Sequence, residues 1–453
     1  MPANPLRRLL APVLFAVLLF LALSASFHAT ARSMPARVDD VPFATIPVTS
    51  TVYLPVISNR PWAPIDFGAD FGHMTTYTDV VTFDYPLVDQ TGAGWIRVWL
   101  PWAEIETSPG VYDWSAYDSV FQQIEDLGMR ALVVFYNAPA WAANLPCAPI
   151  TDDQALVNFV NVLVPRYQEN VGAWEFINEP DGTHEPHPYG PFIGCWGRHP
   201  QEYAHSLQVF YETVKELDPD GLVFFGGLAY DSWTYFQRDF LAKTLENGAG
   251  DYFDGLSFHF YPINAAEFPD VTYKLNELRD TMTSHGVTGK RLWITEMSMW
   301  ANGENGLEGQ RDFVVKELSR AYCAGADNTF WFAIRQDAQY PPTLYRWLID
   351  ADHNPVNAYD TFANYVKLVT GKVCNGPMPD LPENVDAYLF DVDDHPVIVA
   401  WSEEEGATLP VMTDSPRLLL DREGATIQTL TPISGVIDMP VESKPRFLVE
   451  AGE

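Results

Sequence analysis

Two glutamates in this 453-residue chain lie at the ends of short apolar stretches. Glu179 is part of WEFINEPD, residues 174–181, and Glu296 is part of LWITEMSMW, residues 292–300. Apolar runs of this length predict buried strands. Two carboxylates that converge from strand ends suit hydrolysis of a glycosidic bond, because one protonates the leaving oxygen while the other attacks or activates water. The alternative is that each glutamate only forms an ion pair with a nearby arginine. This alternative would be favoured for a single glutamate at the end of a strand but not for two.

The elements that would position these glutamates repeat along the middle of the chain. Short apolar runs predict buried parallel strands at residues 64–71, 95–101, 131–137, 173–179, 222–228, 254–260, 291–296 and 328–334. Helical periodicity separates the runs, which predicts an α/β fold, a (β/α)8 TIM barrel with its active site at the carboxyl ends of the strands. A doubly wound open sheet is the alternative. It is disfavoured because no glycine-rich phosphate loop follows the first strand.

The pattern changes after the predicted barrel, residues 61–372. A proline-rich segment at residues 373–383 predicts a linker. Apolar residues then alternate with a period of two, which predicts a small antiparallel β-sandwich at residues 384–453. The chain should therefore contain one large domain and one small accessory domain.

The N-terminal segment has the layout of a secretory signal peptide. Arg7 and Arg8 precede an apolar run at residues 9–23, and a small-x-small cleavage sequence ends at Ala31. A membrane anchor is the weaker alternative because the run is short for a bilayer span. We therefore expect residues 1–31 to be removed and residues 32–60 to form an N-terminal extension. The mature chain, without a membrane span, would be secreted or held at the cell surface.

Composition excludes some partners. The formal net charge of −33 argues against binding nucleic acid or an anionic membrane, because phosphate groups require lysine and arginine. The spacing of the four cysteines does not fit a zinc site, and no metal or other cofactor is expected. Cys147 and Cys195 follow predicted strands three and four, neighbours on one barrel face, so we expect a disulfide between them. Cys323 and Cys374 could form a second one.

The sequence resembles the clan A glycoside hydrolases, (β/α)8 barrels with catalytic glutamates after strands four and seven. The resemblance covers roughly residues 61–450 and is greatest to family 39, less to families 42 and 5. Residues 102–114 and 138–142 also resemble families 39 and 42. The matching motif residues are Asn178 and Glu179 after strand four, Glu296 on strand seven, Arg97 on strand two, and His259 and Tyr261 in a His-x-Tyr motif on strand six.

The resemblance implies roles for these residues. Glu179 would be the acid/base and Glu296 the nucleophile of a double displacement that retains the anomeric configuration. The proton donor must have a raised pKa, through burial and the other carboxylate, whereas Glu296 must be ionised. Arg97 would favour the ionised form of Glu296 and Tyr261 would donate to it, while Asn178 would hold the sugar 2-hydroxyl. For Arg97 the alternative is a structural ion pair.

Aromatic and histidine side chains complete the predicted binding site. His259 could equally be a core histidine. The tryptophans that could stack on a sugar, each of which could instead pack in the core, are Trp102, Trp141, Trp300 and Trp331. A carbohydrate-binding protein without turnover and a cell-surface adhesive protein are the other classes left open. Sugar identity, linkage and exo or endo action do not follow from the sequence.

Overall fold

The computed structural model describes residues 65–451 except 144–148, 184–194, 231–234, 264–265, 267, 302–305, 338–345 and 392–394. The predicted signal peptide and N-terminal extension therefore lie outside the described residues. So does Cys147, and its pairing with Cys195 stays a prediction. Among the residues that are described, no helix is both long enough and apolar enough to cross a membrane.

Eight parallel strands close into a barrel in chain order, each paired with the next, and the last pairs with the first. The strands are β1 Asp66–Asp70, β2 Trp95–Pro101, β3 Arg130–Tyr136, β4 Val171–Phe176, β5 Leu222–Leu228, β6 Gly255–Phe260, β7 Arg291–Met297 and β8 Asn328–Phe332. Strand β1 closes the barrel because it pairs with both β8 and β2. Phe67 lies opposite Thr329 of β8, and Gly68 lies opposite Trp95 of β2. The predicted TIM barrel is confirmed, and the doubly wound open sheet is excluded.

A helix follows each barrel strand. The helices are α1 Tyr85–Thr91, α2 Ser115–Asp126, α3 Asp153–Tyr167, α4 Pro200–Leu217, α5 Phe240–Glu246, α6 Val271–Ser284, α7 Gly306–Cys323 and α8 Tyr359–Val369. Helix α2 buries one apolar face, including Tyr117, Val120 and Ile124, against the barrel. The helices thus cover the outward side chains of the strands.

Alternation along the strands decides which side chains fill the barrel. Near the strand starts, the inward residues form an apolar layer of Trp95, Leu132, Ala173, Phe224, Trp293 and Phe330. Two residues further along β2, Arg97 takes the inward position, and Glu175 does so on β4. The barrel therefore has an apolar floor and a polar half towards the carboxyl ends of its strands, where active sites of this fold lie.

The C-terminal region is an antiparallel β-domain, as predicted. Its strands are β9 Val373–Pro377, β10 Val385–Asp391, β11 Val397–Ser402, β12 Thr408–Met412, β13 Arg417–Leu420, β14 Thr426–Leu430, β15 Val436–Pro440 and β16 Arg446–Glu450. Six of them form one sheet in the order β9-β10-β11-β16-β13-β14, and β12 pairs with β15. A shared apolar core that includes Ile398, Leu419 and Ile437 lies within this domain.

The predicted linker differs from the structure. Residues 373–377 form the edge strand β9, antiparallel to β10, and so belong to the β-domain and not to a linker before it. A disulfide joins Cys374 of β9 to Cys323 at the end of α7, with Cα atoms 4.8 Å apart. The second predicted cysteine pair is therefore present, and it ties the β-domain to the helix that follows β7.

Candidate active site

The turn after β4 gives Glu179 its direction. The strand ends at Phe176, and both Ile177 (φ 67°) and Glu179 (φ 44°) adopt left-handed backbone conformations. The backbone N–H of Glu179 donates to the carbonyl oxygen of Gly227 at 2.9 Å. Left-handed conformations in residues other than glycine are uncommon and cluster at functional sites. Glu179 thus belongs to a tight turn and not, as predicted from the apolar run, to the strand.

Two glycines of β5 make room for this turn and for His259. A Cβ added at Gly226 would lie 1.9 Å from the carbonyl oxygen of Ile177. A Cβ at Gly227 would lie 2.3 Å from Nε2 of His259. No larger residue fits at either position unless the backbone or the imidazole moves, so these glycines are needed for the close approach of β4, β5 and β6.

Arg97 joins four groups at the centre of the polar half of the barrel. Its side chain has no exposed surface. Nη1 donates to Asp70 Oδ2 at 2.6 Å and to Glu296 Oε1 at 2.7 Å, and Nη2 donates to Glu175 Oε1 at 2.5 Å and to Asn178 Oδ1 at 2.8 Å. The predicted pairing of Arg97 with Glu296 is thus present, but two further carboxylates share the same guanidinium.

Tyr261 and His259 complete the contacts of the two glutamates. The Tyr261 hydroxyl donates to Glu296 Oε2 at 2.6 Å. Nδ1 of His259 lies 3.1 Å from Glu179 Oε1 and 3.4 Å from Glu296 Oε2. One ligand atom from each of Glu179, His259 and Glu296 lies within 4.8 Å of those of the other two. The structure thus brings together Asn178, Glu179, Glu296, Arg97, His259 and Tyr261.

Opposing influences act on the protonation of Glu296. Burial raises the pKa of Glu296, as does the nearby Asp70, whereas Arg97 and the Tyr261 hydroxyl lower it. The sequence-based expectation for the pKa of Glu296 included Arg97 and Tyr261, which lower it, but neither burial nor Asp70, which raise it. Burial also raises the pKa of Asp70, even though Arg97 opposes the shift. One arginine among three buried carboxylates leaves excess negative charge, so protonation of one carboxylate is less costly here than in water.

His259 and Tyr261 are neutral partners. Burial lowers the pKa of His259 well below its usual value, and the positive charges of Arg97 and Lys274 lower it further. Burial, together with the charge of Glu296, raises the pKa of Tyr261 well above its usual value. At neutral pH the imidazole is therefore uncharged and the phenol keeps its proton for donation to Glu296.

The four tryptophans occupy different environments. Trp102 is completely buried, donates from Nε1 to Glu106 Oε2 at 2.6 Å, and packs on Phe159 of α3. Trp331 is 2% exposed and points from β8 towards the helices, because Phe330 and Phe332 take the inward positions. Neither has a face available for a sugar, which corrects the prediction for these two. Trp141 and Trp300 are partly exposed.

Several residues of the site were not predicted from the sequence. Asp70 and Glu175 contact Arg97, and Trp99 donates from Nε1 to Asp70 Oδ1 at 3.0 Å. The indole of Trp99 also packs edge-to-face on Tyr136 with ring centroids 5.3 Å apart, and Phe332 packs against this pair. Side chains alternate between the two faces of a strand, so Trp99, two residues after Arg97 and four after Trp95 on β2, could have been predicted to point into the barrel. Asp70 and Glu175 are carboxylates within the predicted apolar strands 64–71 and 173–179, which is a local signal for a buried acid but does not identify its partner.

Glu179, His259 and Glu296 also have the atom types and spacing of a divalent-cation site. Both carboxylate oxygens of Glu296, however, already accept from Arg97 and Tyr261. The guanidinium charge of Arg97 would also repel a cation bound to Glu296. The donor set therefore fits a hydrogen-bonded pair of carboxylates better than a metal centre.

No protein-family model matches the chain. Among solved structures, a family 39 glycoside hydrolase from the gut symbiont Bacteroides cellulosilyticus aligns with a TM-score of 0.67 and 20% identity, over 86% of this chain and 81% of that chain. A family 39 β-xylosidase from Caulobacter crescentus aligns with a TM-score of 0.62 and 16% identity, over 86% and 96% of the two chains. A family 30 endoxylanase from Clostridium papyrosolvens aligns with a TM-score of 0.61 and 16% identity, over 86% and 97%. At these identities the comparison establishes the fold, and the resemblance to clan A glycoside hydrolases is confirmed at that level.

Proposed function

We propose that this protein is a retaining glycoside hydrolase that cleaves O-glycosidic bonds of oligo- or polysaccharides, with Glu179 as the acid/base and Glu296 as the nucleophile. The observation that supports this most directly is the meeting of the two carboxylates, with one oxygen of each within 4.8 Å, at the carboxyl end of a closed barrel. Retaining glycosidases have carboxyl groups ~5–5.5 Å apart, whereas inverting ones leave ~6.5–9.5 Å for a water molecule.

The first step would form a covalent glycosyl-enzyme. Ionised Glu296 attacks the anomeric carbon while Glu179 gives its proton to the leaving oxygen. Arg97 and Tyr261 hold the two oxygens of Glu296, which keeps the attacking carboxylate in one orientation. Asn178 accepts from Arg97 through Oδ1, so its NH2 group is the part left to donate to the sugar 2-hydroxyl.

The second step would hydrolyse that intermediate. Glu179, now ionised, takes a proton from water as the water attacks the anomeric carbon, and Glu296 leaves as a carboxylate. Glu179 must therefore alternate between protonated and ionised forms. A neutral imidazole suits this requirement because Nδ1–H of His259 can donate to Glu179 Oε1 in both forms, which leaves the other oxygen of Glu179 to carry the proton for the leaving group.

The substrate class and location belong to the same proposal. Two of the structurally similar proteins are a β-xylosidase and an endoxylanase, which makes xylose-based glycosides the first substrates to test. The signal-peptide pattern at residues 1–31 supports export, so the enzyme would act outside the cytoplasm.

A panel of aryl glycosides tests the proposal. We expect turnover of at least one of them, with proton NMR showing that the first-formed product retains the anomeric configuration. Glu296→Gln should abolish turnover. Glu106→Gln is the matched control, since Glu106 is also buried but contacts Trp102 and Gly110. Sugar binding without hydrolysis on the whole panel would favour the alternative, a carbohydrate-binding or adhesive protein on a glycosidase barrel.

A further inference from the structure

Two buried charged residues, Asp181 and Lys274, lie behind the acid/base side of the site. Both are completely buried. Asp181 follows Glu179 after a single proline, and Lys274 belongs to the first turn of α6. Burying either charge is costly unless hydrogen bonds compensate, so their contacts indicate what they stabilise.

Asp181 attaches the turn of Glu179 to the end of β5. Its Oδ1 accepts from the N–H of Ala229 at 3.1 Å, and its Oδ2 accepts from the N–H of Tyr230 at 2.9 Å. The N–H of Glu179 itself donates to Gly227 at 2.9 Å. Both ends of the turn are therefore bonded to the same short segment, residues 227–230.

Lys274 extends this attachment to His259. Its Nζ donates to the carbonyl oxygen of Ala229 at 2.6 Å and to that of His259 at 2.7 Å. The peptide group between Ala229 and Tyr230 is thus held on both sides, its N–H by Asp181 and its carbonyl by Lys274.

These contacts form a closed circuit. Asp181, two residues after Glu179, binds the peptide group of residues 229–230, and Lys274 joins that peptide group to the backbone carbonyl of His259. Nδ1 of His259 lies 3.1 Å from Glu179 Oε1, which closes the circuit. Burial raises the pKa of Asp181 to about 6, while the two N–H donors and Lys274 oppose the shift, so Asp181 is mostly ionised at neutral pH.

We propose that Asp181 and Lys274 are positioning residues that fix the Glu179 carboxyl group against His259 and towards the leaving oxygen of the substrate. This inference rests on the proposed function, because it assigns them to the acid/base and not to the nucleophile. Among the described contacts, neither residue bonds to Glu296, Arg97 or Tyr261. Their loss should therefore impair proton transfer selectively.

The test compares two leaving groups on the sugar that the wild type prefers. A phenyl glycoside needs protonation of its leaving oxygen, whereas a 2,4-dinitrophenyl glycoside does not. General acid catalysis contributes typically ~10²–10⁴-fold, and a misplaced acid should lose part of it. We expect Asp181→Asn and Lys274→Met each to lower kcat/KM about 10- to 100-fold on the phenyl glycoside and less than about threefold on the dinitrophenyl glycoside. Because both act in one circuit, the double variant should lose less than the product of the two single losses.

Glu106→Gln is again the control, because Glu106 is a buried carboxylate that likewise accepts from two N–H donors, at 2.6 and 2.7 Å. It should lower the melting temperature without any leaving-group selectivity. Equal losses on both glycosides in the Asp181 and Lys274 variants would overturn the inference, as would failure of both variants to fold. If the wild type hydrolyses nothing, or if Glu296→Gln remains active, the proposed function fails and the inference fails with it.

Discussion

The two glutamates of the site are held in different ways. Glu296 lies among charged and strongly polar partners, with Arg97 on one oxygen and Tyr261 on the other. Among the contacts described for Glu179, its side chain lies 3.1 Å from the uncharged His259, which is also 3.4 Å from Glu296, and its backbone N–H donates to Gly227. The side chain of Glu179 is also more exposed, 15% against 5% for Glu296.

This difference matches the two tasks in the proposed mechanism. A nucleophile must be ionised before the reaction starts, and charged donors stabilise that form. An acid/base must gain and lose a proton in each cycle, and a permanent positive charge beside it would hold it in the ionised form. In the proposed mechanism, Arg97 and Tyr261 favour the ionised form of Glu296, whereas the neutral His259 allows Glu179 to take either form.

The largest effect should follow from Glu296→Ala. Without the nucleophile no glycosyl-enzyme can form on any substrate, so kcat should fall by at least ~10⁴-fold whatever the leaving group. Added azide should restore some turnover from the vacated face and give the inverted glycosyl azide, identified by NMR.

Glu179→Ala should show a loss that depends on the leaving group. General acid catalysis is worth ~10²–10⁴-fold, so activity on phenyl glycosides should fall in that range. On a dinitrophenyl glycoside the intermediate should still form and then accumulate, and azide should release it as the retained glycosyl azide. If the stereochemistry of the two azide products were exchanged between the variants, the assigned roles would be reversed.

Tyr261→Phe should alter the acid limb of the pH profile. The tyrosine lowers the pKa of Glu296, against burial, so its removal raises that pKa further. Since the ionised carboxylate attacks, activity declines as the pH falls through this pKa, and the acid limb of kcat/KM should move to higher pH. A hydrogen bond to a charged group is worth ~1.5–3 kcal/mol, which corresponds to a loss of about 10- to 100-fold. An unchanged acid limb would contradict the role given to Tyr261.

His259→Asn should have the smallest effect. A neutral hydrogen bond contributes ~0.5–1.5 kcal/mol, so kcat/KM on a phenyl glycoside should fall only about 2- to 10-fold. The loss should be smaller still on a dinitrophenyl glycoside, because His259 lies nearer to Glu179, the proposed acid/base, than to Glu296, at 3.1 against 3.4 Å. A larger loss of kcat/KM for His259→Asn than for Tyr261→Phe would contradict the distinction between the partners of Glu296 and the neutral His259 beside Glu179.

Much of the scaffold follows from the sequence, because strand and helix periodicity are local properties of the chain. The predicted bounds of β2 and β5 equal the observed ones, Trp95–Pro101 and Leu222–Leu228. Glu179 and Glu296 could be singled out because each ends an apolar run, and the strand order of a barrel then places both at one mouth. Arg97, His259 and Tyr261 required the additional family resemblance.

Only the tertiary structure decided how the site is connected and which aromatic residues face it. Arg97 and Glu296 are 199 residues apart in sequence, and the additional contacts with Asp70 and Glu175 depend on the closure of the barrel. The sequence left open whether Trp102 and Trp331 lie in the binding site or in the core. Trp102 packs on Phe159 of α3, and Trp331 points outward from β8 because its neighbour Phe330 points inward, so both belong to the core. Residues 373–377 form a strand because β10 offers them backbone partners, which composition alone cannot reveal. Local pattern determines the elements, whereas contacts between residues distant in sequence determine what those elements bring together.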